Sequence, residues 1–182
     1  LVKTPEQLFD IYLSSVGRGS TLLLNIPPDR RGLFHEKDVQ SLKGFRQLLD
    51  KAFSNNLATN AAFKVSSWRG KDKRYGAAQL NDGNKDTYWA TDDAVTTGSI
   101  EIDLKKVQPV KFVVLQEYIR LGQRVQSFTV EAWEDNSWKQ VAAGTTIGYK
   151  RILQLDNVQT NRLRIRITAS KASPVISNVA VY

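Results

Sequence analysis

The side chains that usually carry nucleophilic or metal chemistry are scarce in this chain of 182 residues. It contains no cysteine and one histidine, His35. Without cysteine there is no disulfide, no thiolate nucleophile and no cysteine-bound zinc, and a single histidine excludes a three-histidine metal cage. It also argues against a histidine-based triad. His35 precedes a helical pattern, so we expect a capping or surface role for it. Carboxylates, arginines and aromatic residues remain as candidates for function.

The formal net charge of +8 raises the question of a nucleic-acid partner. Residues 1–54 carry eight Lys/Arg against six Asp/Glu, and residues 55–182 carry eighteen against twelve. The excess is thus spread along the chain. Its one local concentration consists of Lys64, Arg69, Lys71, Lys73 and Arg74. No run of five or six like charges occurs, so we expect no nucleic-acid partner. No apolar run approaches the roughly 20 residues that a membrane-spanning helix needs, and we expect no such span.

The first part of the chain predicts a helix, a short strand and a second helix. Thr4-Pro5-Glu6-Gln7 has an N-cap threonine, a first-turn proline and a capping-box glutamine. Gly17-Arg18-Gly19 predicts the end of that helix. Thr21–Ile26 is an almost unbroken apolar run, which is typical of a strand buried on both faces of a parallel sheet. Apolar residues three and four apart predict the second helix, at Val39, Leu42, Phe45, Leu49 and Phe53.

A single parallel strand cannot form a sheet, because it needs neighbours on both sides. We therefore expect residues 1–53 to be the last piece of a larger α/β domain. At roughly 100–200 residues per domain, the length fits one domain plus such a fragment. The first residue, Leu1, is not methionine, which agrees with a truncated chain.

From about Ser54 the hydrophobic period changes from that of a helix to a period of two. Seven segments have the length and composition of strands: Ile100–Leu104, Val110–Gln116, Phe128–Ala132, Ser137–Ala142, Ile152–Leu155, Leu163–Ile167 and Ile176–Tyr182. Separated by Gly and Asn/Asp turns, they predict a mainly β, antiparallel β-sandwich over residues 54–182. Arg162, Arg164 and Arg166 alternate with the apolar residues of one strand, and we expect them to form its solvated side.

An ordered series of motifs runs through this second part. It comprises Asn56-Leu57-Ala58, Ser66-Ser67-Trp68-Arg69-Gly70, Asn81-Asp82-Gly83-Asn84-Lys85-Asp86-Thr87-Tyr88-Trp89, Ile102-Asp103-Leu104 and Ile176-Ser177-Asn178-Val179-Ala180-Val181-Tyr182. Over residues 55–182 the series resembles the discoidin, or coagulation factor V/VIII C-type, domain. That resemblance implies a jelly-roll, galactose-binding-like sandwich, a fold shared with family 32 carbohydrate-binding modules.

Three further strings narrow the resemblance. They are Gly19-Ser20-Thr21-Leu22-Leu23-Leu24-Asn25-Ile26-Pro27-Pro28, Glu117-Tyr118-Ile119-Arg120-Leu121-Gly122-Gln123-Arg124-Val125 and Gly144-Thr145-Thr146-Ile147-Gly148-Tyr149-Lys150-Arg151. The first is similar to the last strand and loop of the (β/α) barrel of glycoside hydrolase family 29 α-L-fucosidases, and the other two to that family's C-terminal domain. The resemblance implies that residues 1–53 are a barrel remnant and residues 54–182 a carbohydrate-binding-like sandwich.

Family membership would imply a retaining glycosidase, whose two catalytic carboxyl groups lie about 5 Å apart. In the family both groups come from barrel strands that precede the one present here. The available carboxylates are a helical Asp10, a loop Asp29, and Glu36 and Asp38 at a helix start, where a dipole role is the default. None fits the pair. We therefore expect no catalytic residue in this chain and no hydrolase activity from it alone; Asn25, at the end of the barrel strand, is the most it could contribute.

The resemblance also implies a structural calcium site, since Ca²⁺ takes six to eight oxygen ligands. The family pattern implies six ligand residues: the side chains of Asp82 and Asn178, the carbonyls of Gln79, Asn84 and Ser177, and the hydroxyl and carbonyl of Thr87. Asn178 departs from the commonest pattern, which has glutamate there, and the lost carboxylate would lower affinity. The alternative is an ordinary Asx/Gly turn at Asn81–Asn84 without metal.

Sugar binding is the other function that the resemblance implies, because aromatic faces and planar hydrogen-bond donors hold sugars. The candidates on loops are Trp68, Arg69, Tyr75, Glu117, Arg120, Gln123, Arg124, Tyr149, Lys150 and Arg151. A buried fork pairing Glu117 with Arg124 would serve either such a site or an interface between the sandwich and the barrel. Trp89 could belong to the core, and Trp133 and Trp138 bracket a turn, so we expect them to pack across a strand pair.

Three interpretations of these candidates remain open. They could bind fucosylated or galactosylated glycans, or they could form the interface between the sandwich and the missing catalytic barrel without binding sugar. They could also serve a discoidin-type adhesion module that recognises a protein or membrane surface. Adhesion modules for membranes carry apolar spikes at their loop tips, whereas these loops carry mostly Arg, Lys, Gln and Tyr. The family implies an extracytoplasmic location, periplasmic or secreted.

Overall fold

The computed structural model describes residues 2–182 and begins with helix α1 (Pro5–Ser14). The predicted capping box is confirmed: the Thr4 hydroxyl accepts the N–H of Gln7 at 3.3 Å, and the Gln7 side chain accepts the N–H of Thr4 at 3.0 Å. A 3₁₀ turn at Val16–Arg18 follows, and Gly19 closes it in the left-handed conformation (φ 84°). The helix therefore ends where the glycines predict.

Helix α2 (Glu36–Phe53) is the longer of the two helices. His35 is its N-cap residue, and its Nδ1 accepts the N–H of Lys37 at 3.1 Å. The expected capping role of the only histidine is thereby confirmed. None of the helices among residues 2–182 has the length and apolar character needed to cross a membrane.

The strand predicted at Thr21–Ile26 is wrong for this chain, because the segment forms no strand. It lies as irregular chain across a cleft from Leu8 and Ile11 of α1, and the Leu23 side chain is 91% exposed. A strand is stabilised by hydrogen bonds to its neighbours, and no neighbouring strand is present among residues 2–182. The apolar segment therefore has no sheet that it can join within residues 2–182.

Seven strands follow and form the antiparallel β-sandwich that the sequence predicts. They are β1 (Ala62–Val65), β2 (Trp89–Ala90), β3 (Gly98–Glu117), β4 (Val125–Glu134), β5 (Ser137–Gly144), β6 (Arg151–Ser170) and β7 (Val175–Val181). Their hydrogen-bonded order is β2-β7-β3-β6-β4-β5, with β1 paired to β3, and all pairs are antiparallel.

Two of these strands are longer than predicted. β3 joins the two short strands expected near Ile102 and Val113, and β6 joins two others, since each runs for 20 residues. The β3–β6 register shifts between Asp103 and Gln108, so both strands bend there. Before the bend β3 pairs with β1, and after it with β7. Long strands that bend at such irregularities contribute to both layers of a sandwich.

The tryptophans occupy three different environments. Trp89 is fully buried in the core, where its indole N–H donates to the carbonyl of Ser67 at 2.9 Å. Trp133 and Trp138 are directly opposite each other on β4 and β5, with ring centroids 5.2 Å apart, which confirms the expected cross-strand packing. Trp68 lies in a loop and is 37% exposed.

The β6 arginines are less solvated than the sequence predicts. Arg164 lies 4.4 Å from the centroid of the Trp138 ring and pairs with Glu131 at 2.5 Å, and the Arg164 side chain is only 22% exposed. Arg162 also lies over both tryptophans of this strand pair, whereas Arg166 is more exposed. Arg162 and Arg164 pack against this side of the sheet because arginine can stack on aromatic rings while it pairs with a carboxylate.

An aromatic cluster joins the helices to the outer face of the sandwich, and we call this contact the seam. Phe53 lies 5.1 Å from Phe112 on β3 and 5.2 Å from Tyr182 beside it, measured between ring centroids. Phe9 and Tyr12 of α1 pack on Phe53 at 6.3 and 6.2 Å. The helices are therefore bound to the sandwich by packed rings.

Candidate functional site

Four loops come together at one end of the sandwich, around the ends of β1, β3 and β6 and the start of β7. They are residues 66–76, 91–97, 118–124 and 171–174, and we call them the loop face. Hydrogen bonds hold them together: the N–H of Lys171 donates to the carbonyl of Arg124 at 2.8 Å, the N–H of Gly70 to Oδ1 of Asp92 at 2.6 Å, and Nη2 of Arg69 to the hydroxyl of Ser173 at 2.7 Å. The loop face therefore has a defined shape although it contains little regular structure.

Three tyrosines form a contiguous aromatic wall along the loop face. Tyr88 stacks on Tyr118 with centroids 4.5 Å apart and planes at 19°, and Tyr75 adjoins Tyr88 at 5.4 Å. Burial, and secondarily the nearby Tyr75, raises the pKa of Tyr88 above its usual range, so its phenol stays protonated and able to donate. Of the three, only Tyr75 was a candidate from sequence.

Arg69, a predicted candidate, is held from several sides. Its guanidinium donates to the carbonyl of Thr91 at 3.3 Å and to the hydroxyl of Ser173 at 2.7 Å, and it pairs with Asp93 at 2.8 Å. It also lies 5.4 Å from the centroid of the Tyr75 ring. These contacts fix the planar guanidinium beside the tyrosine wall.

Arg124 also donates hydrogen bonds to Ser173. Its Nη1 donates to the carbonyl of Ser173 at 2.9 Å and to the hydroxyl at 3.2 Å, and its Nε to the carbonyl of Leu121 at 3.3 Å. The structure thus brings Arg69, Arg124 and Tyr75 together, although they are up to 55 residues apart in sequence. Ser173, which no motif marked, joins the two arginines.

The predicted fork between Glu117 and Arg124 is wrong. Glu117 is only 2% exposed, and its carboxylate accepts three backbone N–H groups, from Arg124 at 2.8 Å, Val125 at 2.9 Å and Gly148 at 2.6 Å. At the end of β3 its side chain turns beneath the loops, where backbone donors are closer than the guanidinium. Glu117 therefore holds loops in place and is not placed to contact a ligand.

The other two candidates between residues 117 and 125, Arg120 and Gln123, lie at the protein surface. Arg120 pairs with Asp86 at 3.1 Å, which ties this loop to the predicted calcium loop. Gln123 is exposed, and its Oε1 lies 2.8 Å from the position that a Cβ on Gly148 would take. Because Gly148 also has a φ of 64°, any larger residue there would disturb both its backbone and Gln123.

Tyr149, Lys150 and Arg151 lie on another part of the surface, against the N-terminal segment. A Cβ on Gly19 would come within 3.5 Å of the Lys150 backbone and 3.7 Å of Tyr149. Burial, together with the nearby Arg18, lowers the pKa of the Arg151 guanidinium. This placement is that of an interface between the helices and the sandwich, although the Tyr149 side chain is still 59% exposed.

The predicted calcium loop gathers three of its six proposed ligands. The Thr87 hydroxyl lies 2.6 Å from Oδ2 of Asp82 and 2.9 Å from the carbonyl of Asn84, and Oδ1 of Asp82 accepts the N–H of Asn84 at 2.8 Å. These contacts are hydrogen bonds, which close the loop as the Asx turn does and bring oxygens of Asp82, Asn84 and Thr87 together.

The side chains of the other three residues of the proposed set make contacts outside this loop. The Asn178 amide donates to Oε1 of Gln116 at 3.1 Å and lines a cleft beside α2. The Ser177 hydroxyl donates to the carbonyl of Gln116 at 3.3 Å. Gln79 donates from its side chain to the carbonyl of Lys73 at 3.3 Å. No group of three or more His, Cys, Asp or Glu side chains is placed to hold a metal within residues 2–182.

Comparison with known proteins agrees with this architecture. The family model of the F5/8 type C domain matches residues 61–180. Alpha-L-fucosidase 1 of Arabidopsis thaliana is 35% identical over 184 residues, covering 99% of this chain and 36% of the relative. A family 29 fucosidase of Ruminococcus gnavus, solved in complex with fucose, superimposes with a TM-score of 0.91 and 36% identity over 99% of this chain and 37% of that one.

A chitosan-binding module of a Paenibacillus chitosanase/glucanase superimposes with a TM-score of 0.62 at 23% identity, over 70% of this chain and 97% of the module, and shows the shared fold alone. The chain spans about a third of the fucosidases that it matches. The predicted resemblance to the C-terminal part of family 29 α-L-fucosidases is confirmed. By the match over residues 61–180, the chain belongs to the F5/8 type C domain family.

Proposed function

We propose that this chain is the C-terminal part of a retaining α-L-fucosidase and that its sandwich binds carbohydrate beside the catalytic barrel. The observation that carries the proposal is the loop face, where the guanidinium groups of Arg69 and Arg124 meet at Ser173 and Arg69 lies against Tyr75 of the tyrosine wall. Aromatic faces with a few fixed polar donors are how proteins hold sugars.

The proposed ligands are glycans that carry fucose or galactose, and the proposed location is extracytoplasmic. Both follow from the fucosidases that the chain matches over about a third of their length. The structural partner is the rest of a catalytic barrel. Leu22, Leu24 and Ile26 line a cleft beside α1 and would form the strand that completes such a barrel.

Catalysis is not part of the proposed function of these 182 residues. Asp29 is bound by Arg31, which lowers the pKa of its carboxyl, and Glu36 is bound by the same guanidinium. Two carboxylates held ionised by one arginine do not provide the protonated acid that a retaining mechanism needs. The purified chain should release no phenol from an aryl α-L-fucoside, and measurable turnover would overturn this part of the proposal.

We propose a structural calcium ion for the loop of Asp82, Asn84 and Thr87, supported by the Thr87 hydroxyl that contacts Oδ2 of Asp82 and the carbonyl of Asn84, so that three oxygens of the implied ligand set lie together. The ion would supply charge to this loop and fix its shape. The Arg120–Asp86 ion pair connects this loop to residues 118–124 of the loop face, so the ion would also help to hold those residues in place.

A second candidate function is a purely structural one, in which the sandwich supports the barrel and binds no sugar. The seam favours it, since Phe53 contacts four other aromatic rings across the two parts of the chain. The close approach of Gly19 to Lys150 extends the same contact. The seam and the loop face use different residues, so sugar binding at the loop face can be tested without disturbing the seam.

Titration with fucose, galactose and Lewis-type oligosaccharides separates the two candidates. If the sandwich binds carbohydrate, one of these ligands binds at millimolar affinity or tighter, and Arg124→Ala or Trp68→Ala weakens it at least about tenfold. Phe34→Ala is the matched control, since Phe34 is an exposed aromatic residue outside the sandwich. Absence of binding across the panel would leave the structural function.

A further inference from the structure

Arg69 and Arg124 share one hydroxyl as hydrogen-bond acceptor. Both guanidinium groups donate to Oγ of Ser173, at 2.7 and 3.2 Å, and Ser173 is 3% exposed. A serine hydroxyl has two lone pairs and one proton. With both lone pairs used by the arginines, the Ser173 proton is left as a donor, and within residues 2–182 it has no acceptor.

Each guanidinium also keeps an unused nitrogen. Arg69 uses Nε and Nη2, and Arg124 uses Nε and Nη1. Nη1 of Arg69 and Nη2 of Arg124 therefore make no hydrogen bond with the part of the chain that the structure describes. Two fixed guanidinium groups and a serine hydroxyl offer donors only, which is the chemistry that recognises an anion.

The charge around this pair is not balanced. Asp93 pairs with Arg69, but the Asp93 side chain is 88% exposed and so screens the guanidinium weakly. The carboxylate of Glu117, seven residues before Arg124, accepts three backbone N–H groups and makes no ion pair with the Arg124 guanidinium. Arg124 has no ion pair within residues 2–182. An anion bound between the two like charges would relieve their repulsion.

Tyr75, whose ring centroid lies 5.4 Å from the Arg69 guanidinium, begins the wall of Tyr75, Tyr88 and Tyr118 and so places aromatic surface next to the two arginines. Aromatic surface is what packs against the C–H groups of a sugar. We propose that the loop face binds an acidic sugar, one that carries a carboxylate or a sulfate, through Arg69, Arg124 and Ser173. This inference rests on the proposed carbohydrate-binding function and specifies the class of glycan.

Calorimetric titration of the 182-residue chain at low salt tests the inference with three ligands of equal length. An oligogalacturonate offers carboxylates, a heparin oligosaccharide offers sulfates, and a galacto-oligosaccharide is neutral. We expect at least one acidic ligand to bind about tenfold or more tightly than the neutral one, with affinity that falls as salt rises. Whichever of the two acidic ligands binds more tightly identifies the recognised anion as a carboxylate or a sulfate.

Two substitutions that remove the guanidinium, Arg69→Gln and Arg124→Gln, should each weaken the acidic ligand at least about tenfold. Arg46→Gln removes the same charge from an exposed pair with Asp50 on α2 and should leave binding unchanged. Asp93→Asn should tighten binding severalfold, because it removes the carboxylate that competes for Arg69. A gain of affinity cannot result from misfolding.

The outcomes separate this inference from the proposed function. Equal affinity for acidic and neutral oligosaccharides would overturn the acidic-sugar inference and leave carbohydrate binding in place. Absence of binding to all three, and to the fucose and galactose panel, would overturn both. Inorganic sulfate that binds as tightly as the sulfated oligosaccharide would overturn the role of the tyrosine wall, and with it the inference that the ligand is a sugar.

Discussion

The carboxylate of Glu117 accepts the backbone N–H of Gly148 at 2.6 Å, joining two loops that are 31 residues apart in sequence. The other oxygen of the same carboxylate accepts the N–H groups of Arg124 and Val125. A buried carboxylate with three backbone donors forms charge-assisted hydrogen bonds, which are stronger than neutral ones. Glu117 therefore fixes the backbone at Arg124, from which the guanidinium extends to Ser173.

Replacing Glu117 by Gln should destabilise the fold by about 2–3 kcal/mol, because one acceptor becomes an NH₂ group facing a backbone N–H. Urea unfolding measures this loss. Glu101→Gln is the control, since Glu101 pairs with Arg162 at 3.4 Å on a partly exposed face and should cost less than about 1 kcal/mol. Equal losses for the two variants would show that the buried carboxylate has no special structural role.

The seam should make the helices and the sandwich unfold together. Phe53→Ala removes the ring that contacts Phe9, Tyr12, Phe112 and Tyr182, and should cost about 3 kcal/mol. Calorimetry measures both the loss and the number of transitions. We expect one transition in the unsubstituted chain, and an earlier, separate loss of helix in the variant.

Phe34→Ala serves as the control for the seam, because Phe34 lies exposed in the loop before α2 and should change stability by less than about 0.5 kcal/mol. Two separate transitions in the unsubstituted chain would mean that the aromatic cluster does not couple the two parts.

Local patterns in the sequence predict those features of the fold that depend on near neighbours. The capping box at Thr4 and the N-cap His35 involve residues two or three apart, and both predictions are confirmed. The pairing of Trp133 with Trp138 follows from a tight turn between them. Alternating burial likewise indicates the β-sandwich, and the lengths of β3 and β6 were missed because their bulges interrupt the alternation.

Contacts between distant residues could not be predicted in this way. The sequence places Arg69 and Arg124 on loops, but nothing in it marks Ser173, 104 residues from Arg69, as their common partner. Glu117 and Arg124 are close in sequence and opposite in charge, which favours a fork, yet backbone donors are nearer once β3 ends. The strand predicted at Thr21–Ile26 would need a neighbouring strand, and none pairs with it within residues 2–182, so the apolar pattern alone is misleading.

Alkaline pH should destabilise the seam. Burial raises the pKa of Tyr12 and of Tyr182 above the usual value near 10. Since the folded state binds these phenolic protons more tightly than the unfolded state, the stabilisation is complete below pH 10 and is lost as pH rises through the folded-state pKa. Urea unfolding at pH 8 and above pH 10 measures the difference.

The double substitution Tyr12→Phe/Tyr182→Phe should flatten that alkaline decline, whereas Tyr149→Phe, at an exposed position outside the aromatic cluster, should not. A decline of the same size in the double variant would assign it to other groups.

Calcium should raise the melting temperature of the chain if the loop of Asp82 and Thr87 binds the ion. Binding to the folded state alone stabilises by about 2.7 kcal/mol at a hundredfold excess over Kd, which is several degrees for a domain of this size. Asp82→Asn should abolish the shift, since it removes the carboxylate whose Oδ2 lies 2.6 Å from the Thr87 hydroxyl. Asp103→Asn, a change at an exposed carboxylate on β3, should leave the shift intact. A melting temperature that neither calcium nor a chelator changes would mean that the Asx turn, with Asp82 accepting the N–H of Asn84, holds this loop by itself.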